Sequence, residues 1–170
     1  MPDPLAIADI APNFDLSSTE DAVLMLRDEV ARTAVLVYFF AGRSDGESDA
    51  RTHGDLDALN QHLDRLARLR ARVLAVSPAK LDDLKKLQAG RKLLFPLLHD
   101  DRNFSAAYGV SSAPALVLVS RQQRILWLAN PVAPVAGALP QVLKVLEGEP
   151  SPMKSYPKSV VNRLIDKIVN

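Results

Sequence analysis

Ser48 and His53 offer a candidate nucleophile and a candidate base five residues apart, with Asp49 and Asp57 available to orient an imidazole. The spacing works against them. On a helix, side chains meet at three and four residues, so positions five apart point to different sides. The geometric requirement for a nucleophile–base pair is then not met. Ser48 or Asp49 reads better as the cap of the helix that follows, with Ser44 and Asp45 as loop residues. His99, Asp100 and Asp101 are adjacent and could take a divalent ion through imidazole and oxygen ligands. With three histidines in the chain and no ligand-spacing signature, they read as a polar turn after a strand, and no metal or cofactor is expected. Arg65, Arg68, Arg70 and Arg72 could contact an anion, but a solvated helix face with snorkelling side chains is the better account. The firmest statement concerns sulfur. The chain has no cysteine, which excludes disulfides, thiolate nucleophiles, Cys-ligated zinc and iron–sulfur clusters.

Charge and composition narrow the partners. Lys and Arg number 21 against 20 for Asp and Glu, which leaves no basic footprint for nucleic acid or an acidic membrane. No apolar run approaches the ~20 residues of a membrane span. The segment Met1-Pro2-Asp3-Pro4 lacks the basic and apolar stretches of a signal peptide, so the cytoplasm is the expected compartment. The chain is 170 residues long and 48% hydrophobic, which suits one domain with a full core.

The elements that would position these residues follow from hydrophobic patterning. Residues 1–13 hold three prolines and read as extended. A short strand over 22–26 and one helical turn lie within 15–28. Residues 33–40 (TAVLVYFF) form an unbroken run that suits a strand buried on both faces. After a polar loop, Leu56, Leu59, Leu63, Leu66 and Leu69 step by three and four, predicting one amphipathic helix over 49–71. Residues 72–76 read as a second central strand and 80–89 as a helix ended by Gly90. Residues 93–98, broken by Pro96, suit an edge strand or a turn. A short helix over 103–108 ends at Gly109. Strands at 115–119 and 124–129 form an antiparallel hairpin, and helices follow at 136–147 and, beyond a Pro-rich spacer, at 158–169. Trp127 and Tyr108 are isolated aromatics whose roles alternation does not decide. The order β–α–β–α followed by β–β–α gives parallel central strands, an antiparallel hairpin and helices on both faces. That is the thioredoxin arrangement.

Several strings carry a family resemblance. Ala11-Pro12-Asn13-Phe14-Asp15-Leu16 resembles the APxFxL opening segment of peroxiredoxins of the AhpC/TSA group. Residues 35–40 resemble their first core strand, 73–78 (VLAVSP) the strand reading vlgvS, and 95–100 (FPLLHD) the segment fpllsD. Tyr108-Gly109-Val110 is also usual there. The resemblance runs over about residues 8–147.

The resemblance implies an active loop after the first core strand, with Pro, then Thr four residues later and the peroxide-attacking Cys three further on. Here those positions are Ala41, Asp45 and Ser48. The family's thiolate-stabilising Arg aligns with Pro114. Compared instead with thioredoxin-type reductases, Ser44 and Glu47 stand at the Cys-x-x-Cys positions, and Pro114 at the proline that is cis in that fold. One Cys→Ser exchange would explain Ser48 but not Ala41, Asp45 and Pro114, so natural loss of the redox centre is the better reading. A hydroxyl cannot cycle through sulfenic acid and disulfide. The expectation is therefore a thioredoxin-like three-layer α/β/α sandwich with a mixed sheet over 1–149, and a Pro-rich spacer with an amphipathic helix over 150–170. It is an oxidoreductase by ancestry and redox-inactive, a binding or assembly module that self-associates or meets a protein partner through its last helix. The alternative is an enzyme or small-ligand binder that uses the vacated pocket lined by Ser44, Asp45, Ser48 and Pro114 for non-thiol chemistry.

Overall fold

A computed structural model describes residues 5–41, 50–110, 114–132 and 134–149. The described elements run, in chain order, β1 (Asp15–Ser18), β2 (Val23–Met25), α1 (Leu26–Val30), β3 (Ala34–Phe39), α2 (Ala50–Gln61), α3 (Leu63–Arg68) and β4 (Ala71–Ser77). They continue with α4 (Leu81–Arg91), β5 (Leu97–His99), α5 (Phe104–Ala107), β6 (Ala115–Val119), β7 (Ile125–Ala129) and α6 (Val135–Gly148). The strands form one seven-stranded sheet in the order β2-β1-β5-β4-β3-β6-β7. β3, β4 and β5 are parallel, while β6 and β7 on one side and β1 and β2 on the other are antiparallel.

The run at β3 is apolar throughout because both of its faces are covered. Side chains alternate across a strand. Leu36, Tyr38 and Phe40 enter the larger core with Leu56 and Leu59 of α2, Leu66 of α3, Leu84 of α4 and Leu139 of α6. Val35, Val37 and Phe39 enter the second core with Phe14, Leu26 of α1 and Tyr108. Helices thus cover both faces of the mixed sheet, as the element order implies. Trp127 packs against the larger core and Tyr108 is part of the second.

Five features differ from the sequence reading. The single helix expected over 49–71 is two, because His62 leaves helical geometry (φ −102°, ψ 5°) and its Nδ1 donates to the Ala58 carbonyl at 2.8 Å. The leucine spacing continues across the break, so periodicity does not register it. Gly90 does not end α4. The helix runs to Arg91, and Lys92 adopts the left-handed turn at φ 54°. Asn60 of α2 fixes that turn, donating to the Lys92 carbonyl at 3.1 Å and accepting from the Leu94 amide at 2.8 Å. The strand within 93–98 is not at an edge: β5 pairs with β4 on one side and β1 on the other. β1 itself was not expected, being four residues with two serines. Finally, the last hairpin strand begins at Ile125, with Arg124 in an isolated bridge to Ile10.

Asp100 shows how a short helix is held. Its carboxylate accepts from the amides of Phe104 at 2.8 Å and Ser105 at 3.0 Å, the first donors of α5. Asp100→Ala leaves those donors unpaired and is expected to cost about 1–2 kcal/mol in chemical denaturation. An unchanged midpoint would show that water replaces the carboxylate without loss.

Candidate functional site

The loop that follows β3 leaves the C-terminal edge of the parallel strands, where ligand sites of open α/β sheets form. Ala41 is exposed at that edge. The antiparallel register pairs Phe39 with Ala115, which carries Pro114 opposite Phe40 at the end of the neighbouring strand. The Pro114 carbonyl accepts from the Val132 amide at 2.8 Å. Ala41 and Pro114 therefore lie at neighbouring strand ends. Ser44, Asp45, Glu47 and Ser48 lie outside the described residues, as do Asp49 and Ala113. The cis assignment at Ala113-Pro114 is therefore outside them too. The cis peptide among the described residues is Asn130-Pro131.

Beneath this edge is a cavity of about 110 Å³, bounded among others by Phe39, Ala41, Val76, Ser77, Asp100 and Val110. Small-molecule sites typically occupy ~300–1,000 Å³. The space enclosed by the described residues is too small for an organic substrate of ordinary size.

A buried polar network missed by sequence reasoning stands beside the loop. Asp55 of α2 is 2% exposed. It accepts from the Tyr38 hydroxyl at 2.7 Å and from the Val135 amide at 2.9 Å. Arg51, one turn earlier, approaches the same carboxylate at 3.6 Å and donates to the Val132 carbonyl. The network ties β3, α2, α6 and the segment reaching Pro114 into one unit. Burial, reinforced by the Asp55 carboxylate, raises the Tyr38 phenol beyond its ordinary range. A fully buried phenol held neutral in this way cannot reach a substrate or give up its proton to one, so the arrangement is structural. A signal was present in the sequence: positions 52, 55, 56 and 59 share one helical stripe, and an aspartate on a buried stripe must find partners.

The other candidates are engaged elsewhere. Asp57, considered as a partner for His53, accepts from the Arg91 guanidinium, with Nε at 2.9 Å. That hydrogen bond holds the Asp57 carboxyl below its usual range. His99 Nδ1 donates to the Ala79 carbonyl at 2.7 Å, Asp100 caps α5, and Asp101 faces Arg102 at 3.6 Å. The three adjacent residues thus have separate partners. Among the described residues no group of three or more potential ligands converges on one point. Arg72 pairs with Glu29 at 2.6 Å and with Glu20 at 3.7 Å, so one member of the arginine cluster is an ion-pair residue.

The comparisons with known proteins agree with this geometry. Residues 7–128 match the model of the AhpC/TSA family. The fold is similar to that of peroxidoxin BcpB from Mycobacterium tuberculosis, with TM-score 0.77 and 15% identity over 85% of this chain and 98% of that one. It is similar to a cysteine-to-serine mutant of Xylella fastidiosa PrxQ, with TM-score 0.75 and 20% identity over 86% and 98% of the two chains. Peroxiredoxin Q of Xanthomonas campestris follows at TM-score 0.71, with 21% identity over 80% and 90%. At these identities the structural likeness shows the fold alone. No curated protein matches the chain. The family match covers most of the sequence and takes in nearly the whole sheet, and the chain belongs to the AhpC/TSA family.

Proposed function

We propose that this chain is an AhpC/TSA protein without thiol chemistry, acting as a binding or assembly module. The observation that carries the reading is a family scaffold with no cysteine anywhere in 170 residues. Peroxide reduction and disulfide exchange in this family require a sulfur that cycles between oxidation states, and serine offers none. The substitutions at Ala41, Asp45, Ser48 and Pro114 support loss of the centre as a whole, since a scaffold kept for catalysis would keep the groups around the nucleophile. The Tyr38–Asp55–Arg51 network supports a retained structural role for the region.

The proposed contact is the amphipathic segment within 150–170, whose Val161, Leu164, Ile165 and Ile168 recur at helical spacing and need a surface to cover them. Self-association in the cytoplasm is the simplest arrangement. Sedimentation velocity on the full chain and on a chain ending at Glu149 tests it. The full chain is expected to sediment as a dimer and the shorter chain as a monomer with the same circular dichroism. Two monomers with equal sedimentation coefficients would contradict self-association. The alternative is non-thiol chemistry or small-ligand binding in the vacated pocket.

A further inference from the structure

A larger cavity, about 360 Å³, lies at the opposite end of the sheet. It opens where α3 turns into β4, beside the start of β3, so the length of β3 separates it from the vacated loop by about 17 Å at the ~3.3 Å rise of a strand. Its volume falls within the ~300–1,000 Å³ range of small-molecule sites. Leu63, Ala67, Val73 and Phe95 supply an apolar wall. Leu94 stands at the rim 80% exposed, although its amide is held by Asn60 at 2.8 Å. Its apolar side chain is thus presented to solvent from an anchored backbone.

Two polar side chains line the same cavity, Thr33 and the exposed Arg70. The Thr33 hydroxyl is enclosed and has no hydrogen-bond partner, a rare condition for a buried polar atom. Arg70 has no ion pair among the described residues, whereas Arg72 beside it has two. Arg70 also sits at φ 58°, a left-handed conformation that glycine adopts at lower cost. Its backbone is fixed there, the amide donating to the Ala67 carbonyl at 3.0 Å and the carbonyl accepting from Ala34 at 2.9 Å.

We propose that this cavity binds a small amphipathic carboxylate, with an aromatic or short acyl body against Leu63, Val73 and Phe95 and its charge paired by Arg70. The unpartnered Thr33 hydroxyl is the donor a ligand oxygen would satisfy. Glu20, the acidic residue of the lining, is held by Arg72 and does not neutralise Arg70. None of the residues lining the cavity belongs to the vacated loop or to residues 150–170.

The test is titration of the full chain with benzoate, benzyl alcohol and benzylamine, followed by amide chemical shifts. Benzoate is expected to bind about fivefold or more tighter than the alcohol, the ratio an accessible charge pair supplies, with shifts centred on Thr33, Arg70 and Leu94. Arg70→Gly, which suits the local backbone, is expected to remove that advantage without loss of the fold. Thr33→Val is expected to weaken benzoate binding by about threefold while preserving side-chain shape. Equal affinities for acid and alcohol, tightest binding by the amine, shifts centred elsewhere, or full benzoate affinity in Arg70→Gly would each overturn the proposal.

Discussion

Asp55→Ala is expected to destabilise the protein by about 3–4 kcal/mol, read as a lower urea midpoint at unchanged slope. The carboxylate is the shared acceptor of two buried donors, the Tyr38 hydroxyl and the Val135 amide. Alanine leaves both enclosed and unpaired, at roughly 1–3 kcal/mol each. Against a typical domain stability of about 5–15 kcal/mol, that is a large fraction. Tyr38→Phe makes the contrast. It removes one donor and leaves Asp55 bound to Val135 and near Arg51, so a loss of about 1 kcal/mol is expected. In the double variant the two losses should fall short of additive, because they share one bond. A loss below about 1 kcal/mol for Asp55→Ala would mean that water enters the site and that the network does not tie the loop's surroundings together.

Restoring sulfur alone is expected to restore nothing. In Ser48→Cys, peroxide consumption should stay within about tenfold of that of a free cysteine, whose thiol pKa near 8.5 leaves a few per cent thiolate at neutral pH. The resemblance explains why. The family couples its thiolate to a threonine that orients peroxide and an arginine that holds the sulfur ionised, and the corresponding positions here are Asp45 and Pro114. An aspartate near the thiol would favour the neutral form, and a proline offers no cation. The pH profile of iodoacetamide alkylation gives an independent readout, with a midpoint at or above the ordinary thiol value. A depressed midpoint together with rapid peroxide turnover would show that an activating environment persists and that only the cysteine was lost.

What the sequence disclosed depended on how each element is stabilised. β3 was legible because both of its faces are buried, which turns a local run of apolar residues into a reliable sign of a central strand. The hairpin β6–β7 was legible from the short polar turn between two apolar segments. β1 was not, because four residues carrying Ser17 and Ser18 are held by pairing with β2 and β5 rather than by their own pattern. The interior position of β5 depends on that same hidden strand. The end of α4 lay with Lys92 because Asn60, distant in sequence, binds both sides of the turn. Family strings aligned Ala41 and Pro114 with active-loop positions, and only the register of β3 with β6 shows that the two lie at neighbouring strand ends. The Asp55 network was missed because its partners, Tyr38 and Val135, come from two other elements. The cavity at Arg70 was hidden for a related reason. It exists only where α3, the start of β4 and residues 94–96 meet.

The claim on which all of this rests is that the AhpC/TSA scaffold persists here without the family's thiol chemistry. The most direct test is hydrogen peroxide consumption by the unaltered chain in the presence of dithiothreitol or a thioredoxin system. The account predicts a rate equal to that of a heat-denatured control at every protein concentration. Consumption that rises with protein concentration, saturates with peroxide and is abolished by heating would contradict it.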